Sequence, residues 1–242
     1  MVGLRGVIAT AMAIASVALF TVPDRAAAGG AENPAFLLFS GTDFWRYGAF
    51  LYGGFLWSPA GQNSDGFTLK TLLDTGEFSY LSGGLDALVD GTKFAAAVLP
   101  GWRFSRDRLT VSLFAGPTVQ DYRLFPYDPG SRLHGFYTGA QADVDIWYQP
   151  SAATMAALDG SIASIGPTGS VRAAFGYRLL PPAFIGPEIE EDWCADFDQF
   201  EFGGQITGLH IDALEWSMGS GFALTSDRRS GPYLRLGVNA RY

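Results

Sequence analysis

Tyr233-Leu234-Arg235-Leu236-Gly237-Val238-Asn239-Ala240-Arg241-Tyr242 closes the chain and alternates without a break. Successive side chains of a strand point to opposite faces. Leu234, Leu236, Val238, Ala240 and Tyr242 therefore share one face, and Tyr233, Arg235, Gly237, Asn239 and Arg241 the other. One apolar stripe, one polar stripe and a terminal aromatic are what an outer-membrane barrel turns to lipid outside and to water inside. The segment predicts an all-β fold, an antiparallel up-and-down transmembrane β-barrel.

Upstream, short alternating segments are separated by Gly, Pro, Asp and Ser clusters, with almost no helical periodicity. Candidate strands are 36–44, 48–57, 66–81, 91–104, 108–122, 134–148, 154–164, 169–179, 183–190, 198–210, 214–224 and 232–242. Twelve is the preferred even count. Ten stays open, because the first segment and the one around Phe184 are the least regular. Leu109, Val111, Leu113 and Ala115 oppose Thr110, Ser112 and Gly116; Val171, Ala173, Phe175, Tyr177 and Leu179 oppose Arg172, Ala174, Gly176 and Arg178. The stripes keep their sides within each strand. A soluble sandwich also alternates, but here Trp57, Trp102, Tyr122, Trp147, Tyr148, Tyr177 and Tyr242 stand at strand ends, as interface girdles do.

The first residues point to export. Arg5 precedes an apolar run from Val7 to Val22, and Ala26-Ala27-Ala28 offers a small-residue cleavage site. The run is short for a spanning helix and is followed by Pro23-Asp24-Arg25. Met1–Ala28 is read as a signal peptide for the Sec pathway, and residues 29–242 as one barrel domain in the bacterial outer membrane. Composition agrees. The chain has 31 Gly, 19 Phe, 10 Tyr and 6 Trp but only 17% charged residues, against about 25% in ordinary soluble domains. A net charge of -8 argues against nucleic acid as partner, which needs a basic footprint. Cys194 is the single cysteine, which excludes an internal disulfide framework and a cysteine-built metal site. It reads as a loop thiol with no role, and no cofactor is called for.

Turns around Ser105-Arg106-Asp107, Gln149-Pro150-Ser151 and Leu180-Pro181-Pro182 are short, whereas Ser58–Asp65, Arg123–Leu133 and Thr225–Gly231 are longer and polar. Short turns belong to the periplasmic side and long loops to the outside. The link from Glu190 to Gln199, with Glu191, Asp192, Asp196 and Asp198, reads as a solvated acidic loop. Calcium would need a tighter ligand pattern.

Lys70, Lys93, Arg172 and Arg235, with Asp143, Asp145, Glu201 and Glu215, share the polar parity of their strands. An Arg or Lys on the lipid face costs roughly 2–4 kcal/mol at midplane. These charges are therefore expected to line the lumen, together with the inward aromatics Phe114, Trp147 and Tyr233. They read either as a network holding the interior together or as a hydrated surface for a neutral polymer, with rings stacking on sugar faces. Asp227-Arg228-Arg229 reads as a solvated turn or as a clasp for lipopolysaccharide or another subunit. Arg103, Arg106, Asp107 and Arg108 end two strands with paired charge.

The sequence carries no Gly-x-Ser-x-Gly elbow, His-Glu-x-x-His pair or phosphate loop. His134 and His210 are the two histidines. An outer-membrane hydrolase or acyl-modifying enzyme is the alternative that would make His210, near Asp212 and Ser217, or Glu215 essential. A soluble periplasmic lipocalin-like binder is another, and would need the apolar stripes to face a dry core.

Asp43-Phe44-Trp45-Arg46, Tyr52-Gly53-Gly54-Phe55-Leu56-Trp57-Ser58-Pro59, Leu99-Pro100-Gly101-Trp102-Arg103-Phe104, Arg106-Asp107-Arg108-Leu109 and Phe114-Ala115-Gly116-Pro117 follow in that order. Asp128-Pro129-Gly130, Leu133, Ser164-Ile165-Gly166-Pro167, Gly186-Pro187-Glu188, Thr207-Gly208-Leu209, Glu215-Trp216-Ser217 and Ser226-Asp227-Arg228-Arg229-Ser230-Gly231 continue the series. In order and spacing these pieces resemble the cellulose biosynthesis protein BcsS family, over most of the chain from Gly41 onward. The resemblance implies a role in bacterial cellulose production or export and no known reaction; an accessory, non-catalytic barrel, as conduit or scaffold, is the preferred reading. Outer-membrane lipid, lipopolysaccharide, cellulose or subunits of the cellulose synthase complex are the partners it suggests. The stretch from Glu190 to Phe200, with Trp193 and Cys194, departs from the family pattern.

Overall fold

A computed structural model describes residues 33–195 and 197–242. The signal peptide read over Met1–Ala28 lies outside these described residues. The chain forms β1 (Phe36–Trp45), β2 (Gly48–Trp57), β3 (Gly66–Ser82), β4 (Ala87–Arg106), β5 (Leu109–Phe125) and β6 (Gly135–Ser151). It continues through β7 (Thr154–Ala163), β8 (Thr168–Leu180), β9 (Ala183–Cys194), β10 (Phe197–Ile211), β11 (Leu214–Thr225) and β12 (Ser230–Arg241). Each strand pairs antiparallel with its sequence neighbours, and β1 pairs with β12, so the sheet closes. Closure leaves neither β1 nor β12 as a free edge strand, the condition for strands to cross lipid.

Twelve strands form, including the two segments whose irregularity left ten open. Their ends differ from the sequence reading in an informative way. β9 runs through Glu190 and Asp192 to Cys194 and pairs in register with β10 from Cys194↔Phe197 to Phe184↔Thr207. The acidic stretch is thus mostly strand rather than loop, because Glu188, Glu190 and Asp192 alternate inward and the interior accepts them. Cys194 packs beside the cluster of Tyr122, Leu133 and Ile165 instead of lying in a loop. Arg123 to Phe125 likewise belong to β5.

The lipid face is continuous. Leu51, Leu73, Val98, Leu113, Ile162, Phe175, Ile189, Phe202, Met218 and Leu234 all point outward and are exposed. Phe36, Phe67, Trp102, Tyr148, Tyr177, Trp216 and Tyr242 ring the end where β1 begins and β12 finishes; Phe44, Phe94 and Phe200 lie toward the other end. From Trp102 to Phe94 the strand climbs ~27 Å, or ~20 Å for a tilt of about 40°. That approaches the height of a hydrocarbon band. Tyr122 and Trp147 are not girdle residues: their parity is inward, Tyr122 is buried, and Trp147 packs edge-on to Phe184 at 6.2 Å.

A dry core between two sheets, as in a lipocalin-like binder, is not what covers these stripes. The outer face of this single closed sheet carries them, and its inner face carries the charges.

β10 does swap stripes, against expectation. Between Ile206 and Leu209 the β10–β11 register slips, with Gly208 at φ 76°. This single-residue bulge turns His210 to the inner face opposite Glu215.

The turns sort by end less cleanly than expected. The start of β1 and the end of β12 share one end of the barrel with the two-residue turns 107–108, 152–153, 181–182 and 212–213. Ser58–Asp65 lies at that end too. It is long because it folds back on the barrel: Gln62 is buried, and Arg103 Nη1 donates to the Gln62 carbonyl at 2.7 Å.

Candidate functional site

The middle of the barrel is a network of charge. Register places Asp145, Asp159, Arg172, Glu190 and Glu201 directly beside one another from β6 to β10. Arg235 on β12 reaches into the same level. Its Nε donates to Asp43 Oδ1 at 2.7 Å, Nη2 to Glu201 Oε2 at 3.1 Å, and Nη1 lies 3.5 Å from Glu188 Oε2; Nη2 also pairs with Glu190. Arg172 donates to Glu188 Oε2 at 2.9 Å and stands 3.7 Å from Asp159 Oδ2. Tyr233 donates to Glu188 Oε1 at 2.9 Å, and Gln199 to Glu201 Oε1 at 2.7 Å. Two guanidiniums suit such a junction, since each planar fork serves several carboxylates at once.

Space for the junction comes from glycine. A Cβ on Gly219 would stand 2.0 Å from Glu188 Oε1. Elsewhere a ring lies flat over the glycine directly opposite it in register: Tyr52 over Gly41, Phe50 over Gly76, Phe78 over Gly91 and Phe114 over Gly101. Flat rings line the wall without protruding.

A second junction centres on Lys70 and shares Asp145 with the first. Lys70 Nζ is 3.1 Å from both Asp143 and Asp145 and 5.1 Å from the centre of the Phe114 ring. Beneath it Leu56, Ala97, Leu99 and Phe114 form a dry cluster with Leu37 and Leu72. Lys93 pairs with Asp74 at 3.1 Å. Phe114 and Tyr233 keep only 3% of their surface; neither offers a free face to a sugar.

Every charge expected in the lumen has inward parity, and the structure brings most of them into these two junctions. Glu215 stands apart, pairing with Arg241 at 2.7 Å and lying 3.9 Å from His210 Nε2 near the end where β12 finishes. His210 Nδ1 is 3.0 Å from the Gly208 carbonyl. Sequence reasoning missed Asp43, Glu188, Glu190, Asp159 and Tyr52. The signal was present in Glu188-x-Glu190-x-Asp192, whose period of two marks a strand facing a polar interior.

The loop residues separate into two ends. Arg103 secures Gln62 and Ser112. Arg106 pairs with Asp65, whose carboxyl that hydrogen bond holds below the usual range, and Arg108 donates to the Pro150 carbonyl. Asp107 forms the turn at φ 41°. At the opposite end β3 and β4 outrun β2, whose pairing with β3 stops at Gly48↔Phe78. The β3 edge left open is covered. Ser79 N donates to the Tyr47 carbonyl at 2.7 Å, Leu81 N to Asp227 Oδ2 at 3.2 Å, and Arg229 to the Ser79 carbonyl. Arg229 also stacks on Tyr47 at 4.0 Å and pairs with Asp227 at 2.6 Å. Asp227 and Arg229 are thus an internal clasp; Arg228 sits at the turn with φ 61°.

Chemically, the interior can bind charge, and carboxylates outnumber guanidiniums around Arg172 and Arg235. Among the described residues no His, Cys, Asp and Glu group is arranged to hold a metal.

No curated protein matches the chain. Among solved structures, the KdgM porin is 11% identical over 85% of this chain and 99% of its own, with a TM-score of 0.44. The beta domain of the Bordetella autotransporter BrkA is 12% identical over 87% of this chain and 99% of its own, with a TM-score of 0.47. The translocator domain of the autotransporter NalP from Neisseria meningitidis is 11% identical over 90% and 91%, with a TM-score of 0.44. The family model of the cellulose biosynthesis protein BcsS matches residues 37–242, from the second residue of β1 to the end of the chain, and the chain belongs to that family.

Proposed function

We propose that this protein is a non-catalytic accessory barrel of the cellulose machinery, a side-chain-filled scaffold in the outer membrane rather than an open conduit. The observation that carries the reading is the chord drawn across the interior by Arg235 and Glu188, with both side chains almost wholly withdrawn from water. Small barrels are filled by their side chains and much larger ones leave an aqueous channel. This barrel of twelve strands falls between these limits, and the ion pairs in its interior support the filled reading. His210 is held by a backbone carbonyl and a carboxylate, an arrangement that serves a strand end without a nucleophile. Export through the Sec pathway, lipopolysaccharide on the outer leaflet, and a synthase-complex subunit at the periplasmic end complete the proposal.

Two experiments test it. Deleting the gene in a cellulose-producing host is expected to change polymer yield or fibre morphology; unaltered cellulose would overturn the assignment to the process. Purified protein in planar bilayers is expected to be ion-tight, and stable single-channel steps would replace the scaffold with a conduit.

A further inference from the structure

The three most exposed aromatic side chains among the described residues sit on one hairpin. Phe125 is 80% exposed, Phe136 65% and Tyr127 59%. Phe125 and Phe136 flank the connection 126–134 between β5 and β6 and Tyr127 lies within it, at the end of the barrel where β1 finishes and β12 begins.

Membrane anchoring does not account for Phe125. Outward on the same strand, Asp121 and Arg123 pair at 3.1 Å with the arginine largely in solvent. Phe125 lies one outward position beyond Arg123, above this charged rung and therefore outside hydrocarbon. Phe136 is directly opposite Asp121, at the rim.

The connection is also strapped down. Leu133 is buried against Tyr122 and Ile165. Asp128 is buried and accepts from Tyr80 Oη and Gly130 N, both at 2.9 Å. Arg132 donates to the Ala195 carbonyl at 2.9 Å, and Tyr137 Oη donates to the Arg132 carbonyl at 3.2 Å. Tyr127 meets the His134 ring edge-on at 5.5 Å. A loop whose inner half is fixed holds its outer rings at little entropic cost on binding.

The charges beside the rings are already engaged: Asp121 with Arg123, and Asp128 inside its turn. The surface therefore matches a partner that is itself uncharged. An uncharged sugar ring offers carbon-bound hydrogens on a flat face, which the negative face of an aromatic ring attracts, and hydroxyls for Tyr127 Oη and His134 at the margin. We propose that the β5–β6 connection is an outward platform for a neutral β-linked glucan chain, held by stacking on Phe125 and Tyr127 with Phe136 at its foot. This inference rests on the cellulose reading and names the surface that would meet the polymer.

The test is retention of the detergent-folded protein on amorphous cellulose, with soluble cello-oligosaccharide as competitor. Wild-type protein is expected to be retained and displaced, and the double variant Phe125→Ala/Tyr127→Ala to be held on the order of tenfold less well. Phe125→Trp/Tyr127→Phe should retain binding, and it keeps the test alive if the alanine variant does not fold. Heat-dependent gel mobility checks folding in each case. Failure of wild-type protein to bind, equal retention of the alanine variant, or equally strong binding to an anionic polygalacturonate would each overturn the platform. A host whose cellulose is unaffected by gene deletion would instead sink the process reading, so the two failures are distinguishable.

Discussion

Tyr233 and Glu188 stand on strands three apart, yet the Tyr233 hydroxyl donates to Glu188 Oε1 at 2.9 Å, spanning a section of the barrel instead of following its wall. Arg235 draws the same carboxylate inward from the same strand. Removing Arg235 should be severe, because Glu201 and Asp43 would then be left in the interior without their cation and Glu188 with Arg172 alone. Arg235→Met is expected to cost about 3–5 kcal/mol, and Tyr233→Phe about 1–3 kcal/mol through the lost donor. Urea unfolding of protein refolded in lipid vesicles measures both. A cost below that of Tyr233→Phe for Arg235→Met would show that the junction does not organise the interior.

Two glycines should respond oppositely to the same change. A Cβ at Gly101 would stand 2.2 Å from the Leu113 carbonyl and 2.6 Å from the Phe114 ring, whereas at Gly204, on the outer face, its nearest contact is 3.8 Å away. Gly101→Ala is expected to destabilise by about 1–3 kcal/mol. Gly204→Ala should be neutral or stabilising by up to about 1 kcal/mol, since alanine loses less backbone entropy. The same unfolding assay ranks them.

Much of this architecture is legible in the sequence, for a physical reason. Alternation is obligatory wherever one face meets lipid and the other meets a polar interior, so Leu109 to Ala115 and Tyr233 to Tyr242 declare both strand and orientation. The same physics hides β9. A lumen tolerates Glu188, Glu190 and Asp192 in succession on one face, and outward Glu191 completes a run whose composition resembles a solvated loop. His210 shows a different limit, since parity counted along β10 cannot anticipate the bulge at Gly208. Which carboxylates Arg235 gathers depends on chords across the barrel, which no local pattern encodes.

The clasp over the β3 edge should be sensitive to acid. Burial raises the Asp227 carboxyl, but hydrogen bonds from Thr225, Arg229 and the Leu81 amide overcome it and leave the group below its ordinary value of 3.8. A carboxyl lowered in the folded state contributes stability that is complete above that ordinary value and fades as pH falls through the folded one. Protection of the Leu81 amide from hydrogen exchange, after correction for intrinsic rates, should be flat from about pH 5 to 8. Asp227→Asn should weaken it across that range. Equal protection in the variant would remove Asp227 from the clasp.

On the outer wall, Val98 lies between Phe94 and Trp102 with its side chain exposed. Val98→Arg is expected to cost roughly 2–4 kcal/mol of folding into vesicles. A substitution without effect would mean that water covers this face.

The central claim is that lipid covers the outside of a closed sheet whose inside is held together by charge. Electrophoresis of mature protein reconstituted in lipid vesicles, with and without boiling, tests it most directly. Two mobilities are expected, a compact unboiled form and a slower boiled one, and protein deprived of both lipid and detergent should fail to stay dispersed. A single mobility, from protein that remains monomeric in plain buffer, would contradict the account.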